Sequence, residues 1–305
     1  MIGFILPDLR NIIVAYHGGN YLTLVGVEER LLLEPECRWS ESLLFAPEAK
    51  LFCGYAAGHL IQWDVNNGGL VRRFEGHTGR VESMALLPEG QFVSASADST
   101  MIIWDIATGN KIRTLVRDGC MAGVTSVAVL TDGSLVSGAT NGTIRVWNIA
   151  TGECTKSFRD RAFVTCVAVL GDGRVVSGGG RDLHVWNIHT GQKSELRSPA
   201  TLSYMDRRPP AIVCVLALTD GRVVTSSAYP DGFAHVWDVT TGQCTTIPTG
   251  HHNKVKTMAE LPDGRVVSGA LFEDTLRVWD PSSGVNSTTL VGHDRHMVRS
   301  VIGVR

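Results

Sequence analysis

Residues 76–105 decide the fold. They read Gly76-His77, the turn Leu87-Pro88-Glu89-Gly90, the run Phe92-Val93-Ser94-Ala95-Ser96-Ala97-Asp98, and then Ile102-Ile103-Trp104-Asp105. Short β-branched and aromatic runs alternate here with Gly, Pro and Asp turns, the pattern of a small antiparallel sheet. The same pattern recurs along the chain. Trp-Asp or Trp-Asn falls at Trp63, Trp104, Trp147, Trp186, Trp237 and Trp279, at intervals of 41, 43, 39, 51 and 42 residues. A four-stranded unit repeated every 40–45 residues or so is a propeller blade.

A second marker gives the blade count. Relatives of Leu87-Pro88-Glu89-Gly90 are Leu6-Pro7-Asp8-Leu9, Ala46-Pro47-Glu48-Ala49, Leu130-Thr131-Asp132-Gly133, Leu170-Gly171-Asp172-Gly173, Leu218-Thr219-Asp220-Gly221 and Leu261-Pro262-Asp263-Gly264. Pro, Asp and Gly at these places suit a type I turn. Seven turns predict an all-β, seven-bladed propeller of four-stranded antiparallel blades, one domain over residues 1–305. The first copy has lost its Trp and reads as a hairpin, Asn11–His17 and Tyr21–Gly26 around Gly18-Gly19-Asn20. The last begins at Gly292-His293 and stops after one strand, Met297–Val304. An unpaired blade edge is a liability, so the N- and C-terminal segments are expected to pair and close the ring. Residues 2–6 and 297–304 both fit its innermost slot.

Composition narrows the function. The 305 residues are 44% hydrophobic and 19% charged, with a net charge of −2. That is ordinary globular composition with no global pull toward nucleic acid or membrane. No apolar run reaches about 18 residues, so no spanning helix is expected. The apolar start Met1–Leu6 is too short for a secretory leader. The seven cysteines include no Cys-x-x-Cys and read as free thiols in a reducing compartment, cytoplasmic or nuclear. Gly178-Gly179-Gly180 lies between strands with no helix to follow, so it is no phosphate cradle. No His or carboxylate spacing reads as a metal site. No cofactor is expected.

These motifs resemble the WD-repeat β-propeller family, over essentially the whole chain. The resemblance implies a buried tetrad of His, Ser or Thr, Asp and Trp, which in the third blade falls on His77, Ser96, Asp98 and Trp104. The seventh blade offers His251 or His252, Asp274 and Trp279; the other blades depart further. A Ser, His and Asp set also suits a hydrolase. Here no nucleophile elbow or oxyanion site accompanies it, and a Trp completes a structural network instead, so the chain is read as non-enzymatic.

The resemblance further implies that partners bind the top face, where the innermost strand of each blade begins. Residues near those starts are Trp39 with Glu41, Arg80 with Glu82, Phe163 with Thr165, and Lys254 with Lys256. Lys254, Lys256, Arg295 and Arg299, with Arg207 and Arg208 in a long loop over 196–210, form a candidate basic arc. Trp39, Tyr204 and Phe272 add aromatic contacts of the kind that anchor interfaces. The expected function is a scaffold or adaptor, a monomeric propeller within larger complexes, binding an acidic or phosphorylated protein segment. Nucleic-acid or anionic-lipid binding by the same arc is the alternative, and would show a steep salt dependence.

Overall fold

The computed structural model describes residues 12–16, 22–26, 40–48, 50–64, 69–116, 122–180, 182–197, 211–227, 232–271, 273 and 275–291. All elements among them are strands. They make six four-stranded antiparallel sheets and one two-stranded hairpin. Each sheet runs in chain order, and the middle strands are the most deeply buried.

The chain divides into two compact units, Trp39–Arg197 and residues 1–38 with 198–305. The Trp39–Arg197 unit holds four blades. The second blade is β3 (Ser40–Ala46), β4 (Lys50–Tyr55), β5 (Leu60–Asp64) and β6 (Gly69–Phe74). The third is β7 (Val81–Leu87), β8 (Gln91–Ser96), β9 (Met101–Asp105) and β10 (Lys111–Leu115). The fourth is β11 (Val124–Val129), β12 (Leu135–Ala139), β13 (Thr143–Trp147) and β14 (Cys154–Arg159). The fifth is β15 (Val164–Val169), β16 (Val175–Gly179), β17 (Leu183–Trp186) and β18 (Lys193–Leu196). The other unit holds the hairpin β1 (Ile12–Tyr16) and β2 (Leu22–Gly26) and two blades. The sixth blade is β19 (Ile212–Ala217), β20 (Val223–Ser227), β21 (Phe233–Trp237) and β22 (Cys244–Pro248). The seventh is β23 (Val255–Glu260), β24 (Val266–Ala270), β25 (Thr275–Trp279) and β26 (Asn286–Val291).

The expectation of seven four-stranded blades is therefore corrected: six are formed, and the first repeat contributes the hairpin β1–β2. The physical reason is that this repeat lacks the Trp that each of the other six blades buries against its neighbours. The segments expected to close the ring, residues 2–6 and 297–304, lie outside the described residues.

The core lies between blades. Phe52 and Phe74 of the second blade meet Phe92 and Trp104 of the third, with Phe52 and Phe92 rings 4.5 Å apart and Trp104 edge-on to Phe74 at 5.4 Å. Equivalent clusters join the third to the fourth, the fourth to the fifth, and the sixth to the seventh blade. Middle strands therefore read as continuous apolar runs: each is buried on both faces by its neighbours.

Cations on the outer strands fasten successive blades. Arg72 of β6 donates to Ala107 O at 3.2 Å, Arg113 of β10 to Thr151 O, and Lys156 of β14 to Ile188 O at 2.8 Å. The acceptor in each case lies in the turn between the third and fourth strands of the next blade. In the seventh blade the buried Glu260 accepts the Thr219 N–H at 3.0 Å and its hydroxyl at 2.7 Å from the sixth-blade turn.

The first turns divide into two kinds. Gly133, Gly173, Gly221 and Gly264 have positive φ, from 83 to 89°. Each donates back to the Leu three residues earlier, the expected type I turn with a glycine bulge. In the third blade both Glu89 (φ 60°) and Gly90 (φ 69°) are left-handed and Gln91 N–H bonds Pro88 O, a tighter two-residue turn.

Candidate functional site

In the third blade a directional hydrogen-bond chain ties the Trp to the loop before β7. Trp104 Nε1–H donates to Ser94 Oγ at 2.8 Å, and Ser94 Oγ lies 2.8 Å from His77 Nε2. His77 Nδ1 lies 3.0 Å from Asp98 Oδ2. Asp98 also accepts the N–H groups of Thr78 and Thr100, both at 2.9 Å, and the Thr100 hydroxyl at 2.6 Å. Every group is satisfied when His77 carries its proton on Nδ1. The expected hydroxyl is corrected by one strand step: it is Ser94, not Ser96. Side chains alternate along β8 in steps of two, so both serines share a face, but only Ser94 lies level with the indole. Ser96 Oγ donates instead to Gly79 O at 2.8 Å.

Burial holds the His77 imidazole below its ordinary value and outweighs the pull of Asp98, so the ring is neutral at pH 7. Burial pushes the Asp98 carboxyl up, but the bonds from Thr100 and Thr78 overcome this and hold it below the ordinary carboxylate range. The seventh blade repeats the chain. Trp279 donates to Ser268 Oγ at 3.0 Å, Ser268 Oγ is 3.0 Å from His251 Nε2, and His251 Nδ1 is 2.6 Å from Glu273 Oε2. The acid is thus Glu273, and His251 rather than His252 supplies the ring. Asp274 lies outside the described residues. Burial lowers the His251 imidazole too.

The Trp–hydroxyl bond extends further than the sequence motifs suggested. Trp147 donates to Ser137, Trp186 to Ser177 and Trp237 to Thr225, at 2.8–2.9 Å, in blades that lack the Gly-His signature. The signal was a Ser or Thr 9 to 12 residues before each Trp. The second blade is the exception. Cys53 occupies that place, and Trp63 Nε1, buried, has no hydrogen-bond partner among the described residues. Burial pushes the Cys53 thiol up to about 12. Five described cysteines, Cys53, Cys154, Cys166, Cys214 and Cys244, are free.

The face expected to bind partners has its own repeated geometry. In all six blades the first strand carries a β-bulge at its second residue. The bulged residues are Glu41, Glu82, Thr125, Thr165, Val213 and Lys256. A bulge adds an unpaired residue and re-aims its side chain. The residue before each strand is anchored: Arg80 O, Gly123 O and Lys254 O each accept an N–H from the turn between the second and third strands of the same blade, at 2.9 Å. Four of the six, Glu41, Glu82, Thr165 and Lys256, are among the residues the sequence placed near the strand starts, but the sequence showed no bulge.

What these positions carry differs between the units. Around Arg80 one cation meets two acids: its guanidinium lies 3.5 Å from Glu82 and 4.0 Å from Glu41. Phe163 is 50% exposed at the start of the fifth blade. Lys254 and Lys256 flank the buried Val255, and Lys256 is exposed. Burial first, and then the Lys256 charge, lowers the Lys254 ammonium below its ordinary value. Neither lysine forms an ion pair among the described residues. Trp39, Tyr204, Arg207, Arg208, Phe272, Arg295 and Arg299 lie outside the described residues.

Four-stranded blades, interblade cores and the Trp–hydroxyl bond define a propeller built of sequence repeats. The WD domain, G-beta repeat family matches residues 68–105, 109–148, 152–187 and 242–280, half of the chain. The chain belongs to the WD-repeat family. It is 37% identical to nuclear distribution protein PAC1 of Coccidioides posadasii over 76 residues, 25% of this chain and 16% of that protein. It is 27% identical over 103 residues, 34% of this chain and 21% of the relative, to cell division cycle 20.1, cofactor of APC complex, of Arabidopsis thaliana. A WD repeat-containing protein of Schizosaccharomyces pombe matches at 28% over 127 residues, 37% of this chain and 31% of that one. The chain thus spans less than a third of the length of each of these relatives. Among the described residues no helix is long and apolar enough to cross a membrane.

Proposed function

We propose that this chain is a non-catalytic interaction scaffold that binds an acidic or phosphorylated protein segment at the starts of the first blade strands. One observation carries the reading. Lys254 and Lys256 are a like-charge pair, one of them partly desolvated, with no described counter-ion. Two ammonium groups held together in this way gain from an anionic partner supplied from outside. The Glu41, Arg80 and Glu82 cluster, by contrast, carries more acid than base and offers no such site.

The family supports a binding role, and one of the relatives is named as a cofactor of the APC complex. Arg207, Arg208, Arg295 and Arg299 extend the cationic site in this proposal, and Tyr204 and Phe272 supply aromatic contacts. The test is affinity purification from a cell lysate with quantitative mass spectrometry, comparing wild type with Lys254→Glu/Lys256→Glu/Arg299→Glu. The proposal expects a discrete set of partners lost from the variant. An unchanged set refutes the cationic site.

A further inference from the structure

The Trp39–Arg197 unit carries a cleft away from the strand starts. This cleft, of about 590 Å³, opens between the outer strands of the third and fourth blades, at the end that carries the first and third turns. Its walls come from β10, from β14, and from the turns of the third, fourth and fifth blades. Every residue of the cleft belongs to one compact unit.

Two features single it out. The first is a displaced aliphatic side chain. The pairing of β10 with β9 slips between Lys111 and Arg113, which makes Ile112 a bulge residue. A bulge takes a side chain out of the alternating pattern, and Ile112 is left 46% exposed in a strand otherwise edged with Lys111, Arg113 and Thr114. The β14 strand slips at the equivalent place, putting Thr155 beside the same cleft. Ile149 and Ile188 add apolar surface from the third turns.

The second feature is charge. The residue after each bulge is a cation lining the cleft, Arg113 on β10 and Lys156 on β14. Their described partners are backbone carbonyls, Thr151 O and Ile188 O, and no described carboxylate forms an ion pair with either. Each carbonyl takes one donor, whereas a guanidinium has five and an ammonium three. Two acids also line the cleft: Asp132 is occupied by Ser134, whose N–H and hydroxyl it accepts, and is lowered by those bonds, and Glu89 forms no described ion pair with Arg113 or Lys156.

An aliphatic floor flanked by two cations without a carboxylate partner selects an aliphatic side chain next to a carboxylate. The β10 and β14 strands each have a neighbour on one side only, so an extended backbone finds free main-chain groups alongside. We propose that this cleft binds an extended acidic-aliphatic segment of a partner protein. A Leu or Ile of that segment rests on Ile112 and Ile149, and an adjacent Asp or Glu bonds to Arg113 and Lys156. This site is separate from the one carried by Lys254 and Lys256, and it gives the scaffold a second point of attachment.

The test uses a displayed library of random decapeptides selected on the full chain. Recovered peptides are then measured by fluorescence anisotropy against wild type, I112D, R113Q and K254E/K256E. The proposal expects enrichment of Asp or Glu beside Leu or Ile. It also expects roughly tenfold or greater weakening by I112D and by R113Q, the size of a lost charge-assisted contact, and unchanged binding to K254E/K256E. Ile112 faces solvent, so I112D tests the cleft without touching the interblade bond made by Arg113. No enrichment, enriched peptides without an acid, equal affinity for I112D, or loss confined to K254E/K256E would each overturn it; the last would place the peptides at the other site.

Discussion

At the residue scale the blades are organised by one buried hydroxyl. Five indoles donate to a Ser or Thr on the neighbouring strand, and the sixth, Trp63, faces Cys53. A buried donor without an acceptor costs about 1–3 kcal/mol. Cys53→Ser is therefore expected to raise stability by about 1 kcal/mol, read from the urea midpoint. The same logic separates two serines in β8. Ser94→Ala strands both Trp104 and His77 and should cost about 2–3 kcal/mol, while Ser96→Ala loses a single bond to Gly79 O and should cost about 1 kcal/mol. Equal losses would restore Ser96 to the tetrad. The histidines add an acid sensitivity. His77 and His251 bind a proton less readily folded than unfolded, so their contribution is complete above about pH 6.5 and falls as pH drops below it. Each lowers stability by up to about 1.4 kcal/mol per pH unit in that window. Asp98, also lowered, extends the loss below about pH 4. A thermal midpoint that rises between pH 7 and pH 5 would contradict this assignment. Much of this was legible in advance: the Trp positions, His77 and Asp98 stand out by their spacing. The choice between Ser94 and Ser96 did not, because both lie on one face of a strand and only the register decides which meets the indole.

At the element scale two repeated irregularities matter more than the regular ladders. The bulge near the start of each first strand presents Glu41, Glu82, Thr125, Thr165, Val213 and Lys256. The bulge in the outer strands presents Val71, Ile112 and Thr155. Strand alternation is visible in sequence, but a one-residue bulge leaves no compositional mark, so the outer cleft could not be read there. Side-chain contacts of the seventh blade are of unequal value. Glu260, buried, holds the Thr219 turn, whereas Arg265 and Asp263 form an ion pair on the surface. Glu260→Ala should therefore destabilise by about 2–3 kcal/mol, and Arg265→Ala by less than about 1 kcal/mol, in denaturant titrations. Reversal of that order would show the Thr219 contact to be incidental.

At the scale of the whole molecule, repetition makes the fold readable and the function hard to read. Spacing alone identified the blades, because each repeat has to bury its faces against the next. The first repeat was overcounted since a turn motif survives where the Trp does not. The proposed binding residues obey no such period: they are where copies differ, as Lys254 and Lys256 differ from Arg80 and Glu82. The central claim is that these differences create a site for an anionic segment. The most direct measurement is binding of the chain to an array of matched peptides, neutral, acidic and phosphorylated, for wild type and K254E/K256E. The account predicts a preference of wild type for acidic or phosphorylated members, and its loss, roughly tenfold or more in affinity, in a variant with an unchanged unfolding midpoint. Equal binding by both proteins, or a preference for the neutral peptides, would contradict it.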